Sequence, residues 1–419
     1  MNYQKIEMGA YNLHIINTKK FKTITMDICF RRHITKEDIS KRIILKDVLL
    51  NSNYNYKTER ELIKESENLY DLKLMSSSSR IGNYTNLSFK LRFLNEKYTE
   101  EDMNHESIRF LFDIIFKPNI SDGKFNPNVV SQIKDRALKS LKVLKDDKIR
   151  YAIFNLLSSY EGKPYSYNPY GDEEIINKID EKNLYEYYLD VINNDIVDVF
   201  LVGDVDPIII KDLFKEEFKV STFHKKRDDV IVQPLPTRKR VKNITYEDDV
   251  NQSQIVMLYS ISDLTSYERK YVLPVYNELL GGSSSSILFN NIREKHSYAY
   301  YINSISKSYD NILIIYSGVE NSNEDTVIKL IRKNVTNLGK GKINTEYLES
   351  AKETLISSII SNTDNPFGII NTYFAKELVD SDEALVRIKK LKEVTINDII
   401  NLSKKLHINM TSATKKGEK

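Results

Sequence analysis

The stretch GGSSSSILFNNIREKHSYAYYINSISKSYDNILIIYSGV, residues 281–319, decides how the rest of the chain is read. Gly281, Gly282 and four serines make a pliant entry to the helix ILFNNIREK, and glycine there also lets backbone approach a ligand. Two strands follow, at 298–306 and 311–319. Arg293 lies near the end of the helix and Tyr300 on the first strand, so the helix-to-strand turn brings a guanidinium and a phenol toward one another. Such a pair suits a peptide carbonyl or an oxyanion. On residue type alone, Arg293 is more simply a salt-bridged surface residue and Tyr300 a core tyrosine.

Outward from this stretch, the second half reads as a strand at 253–260, a helix at 267–280, helices at 324–338 and 345–360, and a third helix after Pro366. It closes with helix VTINDIINLSKKL and strand HINMTSAT. The first half has strands at 11–16 and 21–31 around the turn Thr18–Lys20, then a helix at about 39–50. Thr58 and Glu61 form a capping box for the next helix. After the polar SSSS at 76–79, Leu87, Phe89, Leu91 and Phe93 alternate as in a strand with one wet face. Helices at 105–116, 127–144 and 148–157 precede EKNLYEYYLDVIN, which feeds the strand IVDVFLVGDVD. Each half thus closes on helix then strand. The pattern predicts an α+β chain of two homologous domains, 1–225 and 246–419, each an antiparallel-rich sheet packed with helices. A polar, basic linker at 226–245 containing Pro234 and Pro236 joins them.

Composition narrows the function. The 419 residues are 41% hydrophobic and 29% charged, with 27 Tyr and 16 Phe but no Trp, which excludes collagen-like and disordered classes. Sixty-two basic against 59 acidic residues leave a charge of +3, too small for general attraction to nucleic acid or anionic lipid. The basic groups at Lys225–Arg227 and Arg238–Arg240 have no aromatic stacking platform, so no nucleic-acid partner is expected. The single cysteine, Cys29, reads as a buried small hydrophobe and excludes an internal disulfide. No apolar run of 18 residues occurs and the opening lacks a leader-like pattern, so a cytoplasmic protein without membrane insertion is expected. The six histidines, His14, His33, His105, His224, His296 and His407, include no helical pair three or four residues apart. Phosphate-loop, dinucleotide and serine-hydrolase motifs are absent.

ILFNNIREKHSYAYYINS resembles the C-terminal-domain signature of the M16 (pitrilysin, or insulinase) metallopeptidases, with Arg293 and Tyr300 at the family's substrate-binding Arg and Tyr and Gly281 and Gly282 at its usual glycines. NLHIINTKKFKTITMDICFRR, TERELIKESENLYDLKL, GNYTNLSFKLRFLNEKY, DDKIRYA and VFLVGDVD are similar to the short M16-like proteins of Gram-positive bacteria associated with elongation factor P 5-aminopentanol modification. The resemblance spans almost the whole chain. It implies the processing-peptidase-like (LuxS/MPP-like) metallohydrolase fold in both domains, and peptide binding at Arg293, Tyr300, Gly281 and Gly282.

The family's zinc motif, H-x-x-E-H, does not follow. Aligned on the neighbouring block it falls on IILKD, placing Ile43 and Asp47 at the histidine positions and Lys46 at the general base. An aliphatic side chain cannot ligate zinc, and an ammonium repels the cation. The distant glutamate ligand is also missing, because the helix at 127–144 contains no Glu. No metal or other cofactor is therefore expected in this chain, and it is expected not to be catalytic alone. The resemblance then implies the silent subunit of a heterodimeric peptidase, whose partner bears H-x-x-E-H and the zinc. A peptide or unfolded segment is the expected ligand. The alternatives are a stand-alone peptide-binding scaffold or modification-associated protein, and an autonomous hydrolase with a site of another kind.

Overall fold

The computed structural model describes residues 1–218, 231–248, 250 and 252–416. Helices of the first half are α1 (Lys36–Leu49), α2 (Glu59–Asn68), α3 (Met103–Phe116), α4 (Pro127–Asp146), α5 (Lys148–Ser158), α6 (Glu173–Lys178), α7 (Glu181–Asn194) and α8 (Pro207–Glu217). Its strands are β1 (Asn2–Glu7), β2 (Tyr11–Asn17), β3 (Thr23–His33), β4 (Lys73–Ile81), β5 (Tyr84–Leu94), the two-residue β6 (Ile120–Ser121) and β7 (Lys124–Phe125), and β8 (Ile196–Gly203). The second half contributes β9 (Lys242–Asp248), β10 (Ser253–Ile261), β11 (Ala299–Lys307), β12 (Ile312–Val319) and β13 (Leu406–Lys416). Its helices are α9 (Leu273–Asn277), α10 (Glu324–Gly339), α11 (Thr345–Asn362), α12 (Pro366–Val379), α13 (Ala384–Glu393) and α14 (Ile396–Lys404).

These elements form an α+β chain of two compact units. One comprises Met1–Val143, Tyr167–Ile231 and Pro366–Phe374; the other comprises Leu144–Ser166, Val232–Asn365 and Ala375–Lys419. Of the span read as a linker, 226–230 lies outside the described residues, 231–241 carries neither helix nor strand, and Lys242–Asp248 is strand β9.

The first unit is built on a six-stranded sheet in the order β1-β2-β8-β3-β5-β4, antiparallel except for β2 against β8. Period-two alternation divides its faces. Leu13, Ile15, Met26, Ile28, Phe30, Leu87 and Phe89 pack with Ile44, Leu45 and Val48 of α1 and Ile108 and Leu111 of α3. The opposite face holds Ile16, Phe200 and Val202 against Ile369 and Ile370, which come from the far end of the sequence. Cys29 is buried on strand β3. The serines at 76–79 belong to a strand. They lie inside edge strand β4, paired from Ser76 opposite Phe89 to Ser79 opposite Asn86, because the hairpin partner β5 supplies the ladder and apolar contacts that serine lacks.

The second unit has a five-stranded sheet in the order β11-β12-β10-β13-β9, in which only β13 and β9 run parallel. Ile255, Met257 and Tyr259 of β10 face Tyr276, Ile331 and Leu402, whereas Val256 and Leu258 face Ala152, Leu156 and Leu157 of α5. Each sheet is thus covered on its second face by a helical segment that belongs, in sequence, to the other half. Among the described residues, no helix is long and apolar enough to cross a membrane.

Candidate functional site

Two places matter: α1, where the metal motif would lie, and the segment from Asn277 to Tyr300. Helix α1 starts from a capping box in which the Thr35 hydroxyl accepts from Asp38 N–H while Asp38 accepts from Thr35 N–H. Its core face is Ile44, Leu45, Val48 and Leu49. Arg42, one residue before the motif positions, is fully buried. Its guanidinium donates to the Asp195 carboxylate, to Phe30 O at 2.8 Å and to the Tyr187 hydroxyl at 3.1 Å. Burial raises the pKa of the Tyr187 phenol, which keeps its proton and donates it to Asp38 Oδ1 at 2.7 Å. Arg32 Nε donates to Asp195 Oδ1 at 2.5 Å and its guanidinium also pairs with Asp190. Two arginines thus hold three carboxylates together in one charge network of the first unit.

The three motif positions sit on this anchored helix. Ile43 is half-buried against the core. Lys46 Nζ lies 2.5 Å from Asp47 Oδ1, so the one oxygen ligand at these positions is neutralised by the residue beside it. Helix α4, where the distant ligand would lie, turns Val130, Ile133 and Ala137 inward, and Lys134 donates to Asn177 O at 3.1 Å. Among the described residues, no group of three or more His, Cys, Asp or Glu able to hold a metal includes a residue of α1 or α4. The donor set does not fit a catalytic zinc ion.

The second place is built by an unusual helix. The stretch read as a helix at 267–280 is α9 flanked by π-helical turns, Glu268–Val272 and Glu278–Gly282, and Phe289–Glu294 is π-helical too. Such wide turns are rare and concentrate at functional sites. The glycines are demanded by close approach. A Cβ on Gly281 would stand 3.0 Å from Ser304 N of β11, and one on Gly282 would stand 2.6 Å from Glu278 Oε2. Ser297, at φ 55°, ends the helix, donating to Arg293 O at 2.9 Å while Tyr298 N–H donates to Ile292 O at 3.1 Å.

This turn places Arg293 and Tyr300 on one helix-turn-strand but joins them by no hydrogen bond among the described residues. The Arg293 guanidinium lies 4.7 Å over the Phe289 ring, with its Nε 4.0 Å from Glu294 Oε1, and its side chain is 44% exposed. Tyr300 is not a core tyrosine. It is 56% exposed because β11 bulges between Ala299, opposite Val319, and Tyr301, opposite Gly318. Tyr300 is the extra residue, turned out of the ladder, as bulges beside binding sites commonly do. Its hydroxyl lies 3.3 Å from Glu320 Oε1. The neighbouring Tyr301 takes the inward place, its ring over Gly318 and its hydroxyl donating to Gln254. Phe289, Glu320 and Glu278 were not singled out by sequence, since nothing in their spacing marks them; only the Gly-Gly pair one turn beyond Glu278 points to it.

Residues 178–355 match the family model described as Peptidase M16 inactive domain. The chain is thus similar to M16 proteins described as inactive. It is similar to the "Probable inactive metalloprotease YmfF" of Bacillus subtilis (strain 168), 26% identical over 421 residues covering 98% of this chain and 97% of the relative. The "Uncharacterized zinc protease YmxG" of the same organism is 25% identical over 301 residues, 69% of each chain. Among solved structures, a conserved protein from Enterococcus faecalis V583 matches with a TM-score of 0.93 and 25% identity over 100% of both chains. The similarity to M16 structures accords with the α+β architecture of the two units.

Proposed function

We propose that this M16 homologue is the silent subunit of a two-subunit zinc peptidase and works in the cytoplasm. An H-x-x-E-H-bearing M16 partner supplies the zinc and the general base. This chain closes the partner's chamber and offers peptide-binding surface at Arg293, Tyr300 and the Gly281–Gly282 turn. In that role Arg293 presents a fork of donors to a peptide carbonyl, and Tyr300 donates its phenolic proton to the oxyanion that develops there.

The observation that carries this reading is a contrast within one chain. The metal positions hold an aliphatic residue and a closed Lys46–Asp47 pair, while Arg293 and Tyr300 stand exposed on a bulged helix-turn-strand that is anchored by other residues, Leu288, Ile292 and Ala299. The experiment is co-expression with an H-x-x-E-H subunit from the same genome. A stable complex that cleaves unfolded peptides, where neither subunit alone does, is expected. Absence of any complex, with peptide bound by this chain alone, would instead favour a stand-alone scaffold. Association with elongation factor P modification rests on resemblance, and a partner subunit encoded beside modification enzymes would support it.

A further inference from the structure

Helix α5 covers the sheet of the second unit with Ala152, Leu156 and Leu157, which pack with Val256, Leu258 and Met410. The neighbouring stripe, Lys148, Tyr151, Asn155 and Ser158, recurs every three or four residues and so shares one flank of the helix. Edge strand β9 runs parallel to β13, with Ile244 opposite Ser412 and Tyr246 opposite Thr414. Ile244 packs against the apolar cluster under α5, and period two turns Tyr246 to the same side. Between the helix flank and the strand pair lies a cavity of about 620 Å³, within the size range of small-ligand sites and lined by polar residues except for Ala152. Its lining belongs entirely to the second unit.

The polar groups around this cavity are uncommitted. Among the described residues, Lys145, Tyr151, Asn155, Tyr246, Glu247 and Thr414 give their side chains to no hydrogen bond or ion pair. Burial, and then the neighbouring Tyr151 phenol, raise the pKa of Tyr246, so its hydroxyl is a donor at neutral pH. Lys145 and Lys148 enter from the end of α4 and the start of α5, and Asn155 lies about two turns further along the helix. Two ammonium groups against the one carboxylate of Glu247 leave a single positive charge, the complement of one carboxylate. Asn155, Thr414 and the two phenols supply donors and acceptors together, which is what an amide requires. A phosphate is matched less well. Among the described residues no arginine lines the cavity, and Asp147 already caps the first turn of α5 by accepting from Arg150 N–H.

We infer that this cavity binds the C-terminal residues of a short peptide, its carboxylate received by Lys145 and Lys148 and its last amides lying along Tyr151, Asn155 and Thr414. None of these residues belongs to the segment from Gly281 to Tyr300, so this is a second place of contact, and its test does not depend on Arg293 and Tyr300.

Calorimetric titration of the full chain compares an acetylated Ala/Ser tripeptide with a free C-terminal carboxylate, the same peptide as its C-terminal amide, and inorganic phosphate. The free acid is expected to bind about fivefold or more tighter than the amide, the effect of charge-assisted hydrogen bonds discounted for solvent exposure, and tighter than phosphate. Lys145→Gln combined with Lys148→Gln should bring the two peptides level, whereas Arg293→Lys should leave the preference in place. Lys145→Gln alone, at an exposed position, should reduce the preference in part and carries the test if the double variant melts low. Asn155→Leu should weaken both peptides alike, since it removes an amide partner and no charge. Equal affinity for acid and amide, a preference that survives the double variant, phosphate bound at least as tightly as the acid, or no binding of either peptide overturns the site. Each of those results leaves Arg293 and Tyr300 to be judged by turnover of the complex.

Discussion

In the function proposed above, helix α1 and the segment from Gly281 to Tyr300 stand for the two halves of a peptidase signature, and their side chains are disposed in opposite ways. On α1 the residues packed inward dominate: Ile44, Leu45 and Val48 fill the core while Arg42 is locked to Asp195, Phe30 and Tyr187. In the other segment the exposed side chains remain, although Arg293 and Tyr300 contribute little packing. The contrast teaches that the residues holding α1 in place and the residues that would ligate metal occupy different faces of the same helix. Substitution at Ile43, Lys46 and Asp47 could therefore silence the site without loosening the fold.

The largest expected effect tests the architectural half. Arg42→Ala leaves Asp195 with Arg32 as its one remaining guanidinium partner and strips the Phe30 carbonyl of a donor, and breaking one arm of such a buried network costs about 3 kcal/mol. Urea unfolding should show that loss with little change in slope. A cost below 1 kcal/mol would mean that the network merely accompanies α1 and does not anchor it. The second effect sits in the other region. Gly281→Ala drives a methyl to 3.0 Å from Ser304 N, a backbone atom that cannot swing aside, and overpacking of that kind costs about 1–3 kcal/mol. An unchanged melting temperature would show that the π turn yields freely and that its glycine was kept for a ligand alone.

Much of this division was legible in the sequence. The block order, the capping box at Thr58, and the alternating strand from Leu87 to Phe93 all follow local rules that survive folding, whereas the box at Thr35 emerged only with the structure. The lack of zinc-ligand chemistry at Ile43 and Lys46 is readable without a structure, because it is a property of residue type. Other features were not. Ser76–Ser79 form a strand only because β5 lies beside them. Tyr300 is exposed only because of a one-residue bulge, which no periodicity announces. The assignment of α5 to the second sheet and of Ile369 and Ile370 to the first depends on contacts far apart in sequence. The cavity beside α5 is a fact of packing.

A third, smaller effect sharpens the retained half. In a reconstituted complex, Tyr300→Phe removes only a hydroxyl and Arg293→Lys keeps charge but loses the fork, so each should lower turnover by about tenfold, or roughly 1.4 kcal/mol. Because both side chains are largely exposed, melting temperature and partner affinity should stay put. Unchanged turnover in both variants would make the pair an inheritance without use.

The smallest expected effect is the attempt to reverse the lost half. Ile43→His, Lys46→Glu and Asp47→His together restore the H-x-x-E-H pattern on α1. All three positions are half-buried or more open, and Arg42, Ile44, Leu45 and Val48 are untouched, so stability should change by less than about 1 kcal/mol. The new histidines, four residues apart on one helical face, are placed to grip a metal weakly. Turnover is nevertheless expected to stay at background. A catalytic zinc requires a third protein ligand, and α4 carries no Glu to supply it: Val130, Ile133 and Ala137 point into the core and Lys134 is engaged with the backbone at Asn177. The assay is peptide hydrolysis by the purified triple variant with added zinc, against the same protein with chelator. Weak metal binding without hydrolysis is the expected result. Zinc-dependent cleavage above the chelated control would show that another residue completes the ligand set, and α1 would then be a silenced site that three substitutions can reopen.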